Sequence, residues 1–136
     1  MADPYLLDTS AVLTLIEDEA GADRVEELLR HHTVIIPWIA LVEVFYITQQ
    51  ERGASEAERR FALMKALPVT LLWTIDEPTL LQAGRLKAVY RLSLADTLIA
   101  ALAQQQGAIL VHKDPEYDTL QGQLRLEALP YKASPR

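Results

Sequence analysis

Four acidic residues of this chain stand in surroundings where a carboxylate is costly to keep. Asp8 directly follows a short apolar run, and Asp114 comes soon after another. Glu43 has only apolar or aromatic neighbours within four positions on either side, and Asp96 begins an Ala- and Leu-rich stretch. Burying a polar group without a partner costs about 2–7 kcal/mol. Each of these side chains therefore needs a cation, a hydrogen-bonding partner or a proton.

The four acids together predict a metal site. Carboxylates that converge on one point repel each other, and some take up protons at neutral pH unless a cation lies among them. Oxygen ligands without Cys or paired His favour Mg²⁺ or Mn²⁺ over Zn²⁺, and the chain has no cysteine. A Mg²⁺ ion held by few carboxylates keeps water molecules, one of which can attack a phosphodiester. The chemistry that follows is metal-assisted hydrolysis of a phosphodiester bond.

Each acid taken alone also has an ordinary structural interpretation. Asp8 could cap the first helix, and Asp114, which precedes a proline, could begin a turn. The pattern Ser93-x-x-Asp96 satisfies a capping box, and the helix dipole favours an acid in the first turn. Glu43 would need a buried arginine partner or the edge of an exposed face. Only the joint occurrence of the four favours the metal site.

Short apolar strands that alternate with helices must position these acids. Strands are predicted at 5–7, 33–36, 69–73, 108–111 and, less regularly, 124–129, and helices at 11–18, 22–31, 39–52, 55–67, 76–90 and 93–107. Ser10, Ser55 and Ser93 are the predicted N-caps of three of these helices, the last two in capping boxes. Continuous apolar strands separated by helices indicate a parallel sheet covered on both faces. Such sheets carry their sites at the carboxyl ends of the strands.

Composition limits the class of protein further. The 136 residues, half of them hydrophobic and 24% charged, are typical of one globular domain. We assign residues 1–131 to this domain and 132–136 to a loose C-terminal tail. The start of the chain has no basic n-region and no apolar run reaches the ~18 residues of a membrane span. A cytoplasmic protein without a membrane partner is therefore expected.

The net charge of −6 argues at first against a nucleic-acid partner. Two divalent ions bound among the four acids would offset four of these charges, so part of the acidic excess is the site itself. Affinity for non-specific nucleic acid should still be modest.

The acids and their neighbours resemble the motifs of PIN-domain ribonucleases. The matching segments, in order and spacing, are Asp8-Thr-Ser-Ala-Val12, Ala40-Leu-Val-Glu-Val-Phe45, Asp96-Thr-Leu-Ile-Ala-Ala-Leu-Ala103 and Val111-His-Lys-Asp-Pro-Glu-Tyr117. The resemblance covers essentially the whole chain and is greatest to the small VapC-like toxins of prokaryotic toxin–antitoxin pairs.

This resemblance implies a three-layer α/β/α sandwich around a central, mostly parallel sheet of four to five strands. It also implies an endoribonuclease that uses Mg²⁺ or Mn²⁺, one or two ions per site, and forms a homodimer and a complex with a cognate antitoxin. The implied acidic cluster is Asp8, Glu43, Asp96 and Asp114. Ser10 and, with less weight, Thr97 would support it through hydrogen bonds.

The chain departs from the family pattern at one place. Family members often carry Thr or Ser two residues before the fourth acid, where this chain has His112. Its imidazole could bind a phosphate when protonated or could cap the strand, and we favour the second role. Glu116 and Asp118 are alternative ligands to Asp114, ranked lower because they lie further from the strand end.

Candidate RNA contacts lie close to the acids in sequence. The basic candidates are Arg85, Lys87, Arg91 and Lys113, although any one of them is also consistent with a solvated helix face. The aromatic residues that could stack bases are Trp38, Phe45, Tyr46 and Tyr90. At helical spacing most of these aromatic residues are expected in the core or in a dimer contact.

Three other functions compete with the ribonuclease. An aspartyl-phosphate phosphatase would place a second Asp two positions after Asp8, where this chain has Ser10. A flap-type DNA nuclease shares the acidic cluster but needs a longer chain to hold DNA. The main alternative is a catalytically weak PIN-like fold that acts as a protein- or RNA-binding module. The presence of all four acids favours the enzyme.

Overall fold

The computed structural model describes residues 2–131, so the predicted tail at 132–136 lies outside the described residues. In chain order the elements are β1 (Tyr5–Leu7), α1 (Thr9–Ile16), α2 (Ala22–His31), β2 (Val34–Pro37), α3 (Trp38–Arg52), α4 (Ala54–Ala66), β3 (Thr70–Leu72), α5 (Glu77–Val89), α6 (Leu94–Gln105), β4 (Ile109–His112), a 3₁₀ helix (Pro115–Leu120) and β5 (Leu126–Ala128). Every predicted strand and helix has a counterpart among them. Within the described range, no helix is both long enough and apolar enough to cross a membrane.

The five strands form one parallel sheet in the order β3-β2-β1-β4-β5. Helices cover both faces, so the predicted three-layer α/β/α architecture is confirmed. The chain leaves β1 towards β2 on one side and later places β4 on the other. In sheets of this kind the crevice for a ligand lies at the carboxyl ends of the two strands where the order reverses, here β1 and β4.

Alternate residues of the strands face opposite layers, which explains why the strands are apolar throughout. Leu6 and Leu110 belong to a buried cluster that includes residues of α5 and α6. Leu7 and Val111 belong to a second cluster with residues of α1 to α4. Because β1 and β4 pack on both sides, the chain segments that directly follow them are held firmly in place.

Two of the three predicted helix caps are wrong. The N-cap of α1 is Asp8 instead of Ser10, because the Asp8 carboxylate accepts the backbone N–H of Ala11 at 2.8 Å. The capping box at Ser55 does not form, because α4 already begins at Ala54, after Gly53 with its left-handed φ of 91°. Ser93 is confirmed as the cap of α6, where its hydroxyl accepts the backbone N–H of Asp96 at 3.1 Å.

The buried Arg60 joins three helices on the side of the sheet that carries Glu43. Its side chain is only 5% exposed, and its guanidinium donates to Glu17 at 3.1 Å and to the Thr48 hydroxyl at 3.3 Å. It also donates to Glu56 on its own helix. Arg60 on α4 therefore links the end of α1 to α3, and so fixes α3 relative to the sheet.

We expect Arg60→Ala to lower the free energy of unfolding by about 2 kcal/mol, since charge-assisted hydrogen bonds are lost and Thr48 stays buried without this partner. The adjacent Arg59, which is exposed and pairs with Glu56, supplies the control: Arg59→Ala should change stability by no more than about 0.5 kcal/mol. Urea unfolding of both variants measures the difference. Equal losses would contradict a linking role for Arg60.

Candidate metal centre

Asp8 serves the fold and the site at once. Its backbone N–H donates to the carbonyl of Val111, which joins the ends of β1 and β4. The residue is 3% exposed, and its carboxylate accepts hydrogen bonds from the Ala11 N–H and, at 2.7 Å, from the Ser10 hydroxyl. Burial raises the pKa of Asp8 to about 7, although both hydrogen bonds act in the opposite direction. The negative charges of Asp96 and Asp114 raise this pKa further.

Ser10 connects the two strand ends through its side chain. The hydroxyl donates to the Asp8 carboxylate, and its oxygen accepts the backbone N–H of Lys113 at 2.9 Å. The loop that carries Asp114 is thereby attached to the start of α1. This arrangement is consistent with the supporting role that the resemblance implies for Ser10.

Asp96 projects from the first turn of α6. Its carboxylate is partly buried and accepts the hydroxyl of Tyr117 at 2.9 Å. Burial raises the pKa of Asp96, and the Tyr117 hydrogen bond opposes that rise. The neighbouring Thr97 is fully buried, but its hydroxyl donates to the Leu94 carbonyl of the same helix at 2.8 Å.

Asp114 lies at the end of β4, where His112 orients its backbone. The Asp114 N–H donates to Nδ1 of His112 at 3.2 Å, and the Asp114 carboxylate caps the 3₁₀ helix by accepting the Glu116 N–H at 2.9 Å. Because Nδ1 accepts, the proton of the neutral imidazole is on Nε2. The ring is fully buried, and burial lowers the pKa of His112. These contacts are those of a residue that caps a strand.

The acids of α6 and the 3₁₀ helix come together. One carboxylate oxygen from each of Asp96, Asp114 and Glu116 lies within 4.8 Å of the others. Among residues 2–131 this is the set of acidic or imidazole groups close enough to share one cation. Asp8 lies outside the set but interacts electrostatically with Asp96 and Asp114. The sequence pattern places Glu116 below Asp114 as a ligand, but the 3₁₀ helix folds Glu116 back towards the strand end and into this set.

Glu43 is half-buried in the middle of α3 and has a different kind of partner from the one expected. Its carboxylate accepts the Thr9 hydroxyl at 2.6 Å, so its partner is not a buried arginine. Its half-buried position beside the exposed Val42 and Tyr46 is that of the edge of an exposed face. Glu43 is not one of the three acids whose oxygens meet. Thr9 follows Asp8 directly, so this bond holds α3 against the start of α1.

Tyr117 is the residue at this site that sequence analysis missed. It is fully buried in the apolar cluster beneath α6, and its hydroxyl reaches Asp96. The sequence carries no signal for this role, because Tyr117 is flanked by Glu116 and Asp118, as an exposed residue would be. Asp118, the other alternative ligand, is exposed and accepts the Tyr131 hydroxyl at 3.3 Å.

The basic candidates fall into two groups. Arg85, Lys87 and Arg91 are exposed. Because side-chain bonds join the beginning of α5 to the end of α6 (Gln82 to Gln104, Asp76 to Gln105), the two helices are antiparallel and the last turn of α5 lies near the start of α6. The Lys113 side chain is only 5% exposed, and its ammonium donates to the Ala20 carbonyl at 3.0 Å and lies 3.9 Å from Glu19.

Three of the four aromatic candidates lie on one surface. Trp38, Phe45 and Tyr46 line an apolar cavity of about 450 Å³, whose other walls are Leu41, Val42, Phe61 and Trp73. Tyr90 instead packs against the apolar cluster of α5 and α6. The aromatic residues therefore do not form a single platform at the acids.

The donor set fits a hard divalent cation. All groups that converge are carboxylates, the ligand type that Mg²⁺ and Mn²⁺ prefer. The raised pKa values of Asp8 and Asp96 show that their ionised forms are disfavoured in the protein alone. A cation among them would reverse that preference, since an opposite charge favours the ionised form.

Comparison with known proteins finds one family model and several solved structures that this chain resembles. The family model described as PIN domain matches residues 5–122. VapBC2 from Rickettsia felis, solved bound to a promoter DNA fragment, superposes with a TM-score of 0.77 at 19% identity, over 93% of this chain and 99% of that chain. VapBC-1 from nontypeable Haemophilus influenzae superposes with a TM-score of 0.72 at 21% identity, over 92% and 97%.

A third structure is VapC20 from Mycobacterium tuberculosis, described as a toxin that cleaves the sarcin-ricin loop. It superposes with a TM-score of 0.70 at 16% identity, over 93% of this chain and 99% of that chain. At these identities the superpositions show a shared fold. A search of curated proteins gave no significant match.

We expect Asp8→Asn to make the metal-free protein more stable at pH 8. The folded protein keeps a proton on Asp8 up to about pH 7, whereas the unfolded chain releases it near pH ~3.9. Between these values the folded state binds more protons, so stability falls as the pH rises. Asparagine removes this titration and keeps an oxygen to accept from Ala11 and Ser10.

The expected gain is roughly 2–4 kcal/mol at pH 8 and little at pH 4.5. Urea unfolding in EDTA at both pH values measures it. Asp23→Asn, at an exposed position of α2, is the control and should show no such pH dependence. A constant difference between Asp8→Asn and the unmodified protein at both pH values would contradict the prediction.

Proposed function

The chain belongs to the PIN domain family, and from that membership we propose that it is a metal-dependent endoribonuclease that hydrolyses RNA phosphodiester bonds as the toxin of a toxin–antitoxin pair. The observation that carries this proposal is the approach of Asp96, Asp114 and Glu116 to within 4.8 Å, beside the buried Asp8. The description of VapC20, which has the same fold, as a toxin that cleaves the sarcin-ricin loop supports it.

The metal ligands we propose are Asp8, Asp96 and Asp114, with Glu116 as a further ligand that the 3₁₀ helix brings near. Glu43, held by the Thr9 hydroxyl, would bind the metal or orient the attacking water. One or two Mg²⁺ or Mn²⁺ ions would be bound. When bound, such an ion stabilises the charge that develops on a phosphoryl group and activates a water molecule.

The residues around the acids keep them in place for this chemistry. Ser10 holds the Asp8 carboxylate, and Tyr117 holds that of Asp96. The His112 ring holds the backbone of Asp114. Since the fold restrains Asp8, Asp96 and Asp114, these residues need little rearrangement when the site becomes charged, which is the property that makes a preorganised site effective.

RNA would approach from the edge of the sheet where β1 and β4 end. The exposed Arg85, Lys87 and Arg91 belong to the last turns of α5 and the segment before α6, on the side of Asp96. We propose that they contact backbone phosphates, which position a substrate without reading its sequence. Lys113 is also a proposed RNA contact, because it directly precedes Asp114. Its ammonium donates to the Ala20 carbonyl.

We further propose a cognate antitoxin, a homodimeric state and a cytoplasmic location. The support for the antitoxin is that similar folds were solved as VapBC proteins. The net charge of −6 favours a basic antitoxin segment at the acidic edge. The alternative function remains a catalytically weak PIN-like fold that binds a protein or RNA.

RNA cleavage by the purified protein tests the proposal. With Mg²⁺ or Mn²⁺ the protein should cut RNA, and Asp96→Asn or Asp114→Asn should each reduce the rate at least about tenfold, as expected for loss of a metal ligand. Asp23→Asn, remote from the acids, should cleave as the unmodified protein does. Thermal unfolding of each variant separates lost activity from lost structure.

Two results would count against this function. Equal cleavage by the unmodified protein, Asp96→Asn and Asp114→Asn would mean that the acids are not the site. Failure to cut RNA with either metal, together with tight binding of a cognate antitoxin, would favour the binding-module alternative.

A further inference from the structure

The hydroxyl of Tyr117 lies in a buried, apolar part of the fold where packing does not require a polar group. The residue is fully buried, and its ring centroid lies 4.9 Å from that of His112. Its hydroxyl donates to Oδ1 of Asp96 at 2.9 Å. A phenylalanine would fill the same apolar space, so packing does not account for the hydroxyl.

We propose that Tyr117 is a positioning residue of the metal centre. Its hydroxyl donates a hydrogen bond to one carboxylate oxygen of Asp96 and leaves the other oxygen free to bind the cation. The inference rests on the proposed function, and it gives a role to a residue that ends the fourth matching segment but is not one of the acids. Tyr117 acts through Asp96 and does not itself touch the metal.

The position of the hydroxyl is set by the fold and not by the site. Tyr117 lies on the 3₁₀ helix, and its backbone N–H donates to the carbonyl of Asp114 at 3.2 Å. In a 3₁₀ helix residues three apart lie on the same side, so Asp114 and Tyr117 face the acids together. The ring belongs to the same buried cluster as Leu120 and Ile99, which limits its movement.

A neutral donor suits this place better than a charged one. Asp96 lies near Asp8 and Asp114, and repulsion between them would turn its carboxylate away. A lysine or arginine could restrain it only by placing a positive charge where the cation must bind. The phenol restrains Asp96 without that charge, and hydrogen bonds to an ionised acceptor are about twice as strong as neutral ones.

Tyr117 and His112 together restrain the two acids that face each other. Tyr117 holds the side chain of Asp96, and the His112 ring, which packs against Tyr117, holds the backbone of Asp114. The relative positions of Asp96 and Asp114 therefore depend on one aromatic pair beneath them.

Titration of the purified protein with Mn²⁺, without RNA, tests the proposal. Tyr117→Phe keeps the ring and removes the hydroxyl, and we expect its Kd for Mn²⁺ to rise about tenfold, as when an outer partner of a metal ligand is lost. Tyr5→Phe is the matched control, because Tyr5 begins β1 at the opposite end of the strand and contacts His32. Its Kd should stay within about twofold of the unmodified protein.

A double-mutant cycle shows whether the effect passes through Asp96. In the Asp96→Asn background, adding Tyr117→Phe should change the remaining Mn²⁺ affinity by less than about twofold. A merely structural role for Tyr117 would weaken Mn²⁺ binding equally in both backgrounds and would overturn the proposal. An unchanged Kd for Tyr117→Phe would overturn it as well.

The outcome also separates this inference from the proposed function. If the unmodified protein binds no Mn²⁺, the metal centre and the role of Tyr117 both fail. If it binds Mn²⁺ and Tyr117→Phe binds it equally, only the role of Tyr117 fails.

A measurement on the unmodified protein covers the case in which Tyr117→Phe does not fold. With ¹³Cζ-labelled tyrosine, the Tyr117 signal can be assigned by elimination using Phe variants of the other four tyrosines. Saturation with Mg²⁺ should shift this signal and leave that of Tyr5 in place, because the acceptor of the Tyr117 hydrogen bond becomes a metal ligand. An unmoved Tyr117 signal would overturn the proposal.

Discussion

The buried carboxylate of Asp8 is the constraint on which the rest of the structure depends. It caps α1 through the Ala11 N–H and accepts the Ser10 hydroxyl, and that hydroxyl in turn holds the Lys113 N–H at the end of β4. The same group is taken out of water, and its pKa rises to about 7. Local hydrogen bonds offset only part of the cost of ionising it. In the proposed metal centre, a cation would supply what the local donors do not.

The sheet order explains how acids so far apart in sequence come together. Because β1 lies between β2 and β4, the segments after β1 and β4 leave the sheet side by side. Helix α6 runs antiparallel to β4, so its first turn, with Asp96, returns to the same edge. The 3₁₀ helix then adds Glu116 and Tyr117 within three residues of Asp114. Each contribution follows from the direction of an element, and none needs a long loop.

Much of the fold could be predicted from the sequence, because it depends on local patterns. Helix α2 occupies the predicted range of 22–31, Ser93 caps α6, and the parallel three-layer architecture follows from apolar runs between helices. What could not be predicted depends on contacts made after folding. The bond between Thr9 and Glu43 spans 34 positions, and no local pattern encodes it. The sequence ranks Glu116 below Asp114 and does not single out Tyr117, because the Asp-Pro pair predicts only a turn, whereas the chain continues as a 3₁₀ helix that changes which side chains face inward. The capping motif at Ser55 is present in the sequence, but the helix begins one residue earlier, at Ala54, with Gly53 as its N-cap.

The 3₁₀ helix also determines how this segment can change in length. Asp114 caps this helix by accepting the Glu116 N–H, and the Tyr117 N–H donates to the Asp114 carbonyl. With three residues per turn, Tyr117 then lies on the side of Asp114, where its hydroxyl reaches Asp96. Inserting a single residue between Asp114 and Tyr117 would rotate the tyrosine by about a third of a turn, away from Asp96. Insertions after Leu120 would leave these contacts intact. Among related chains, a tyrosine in this role should therefore occur at a fixed distance of three residues from the acid, while the connection that follows is free to vary in length.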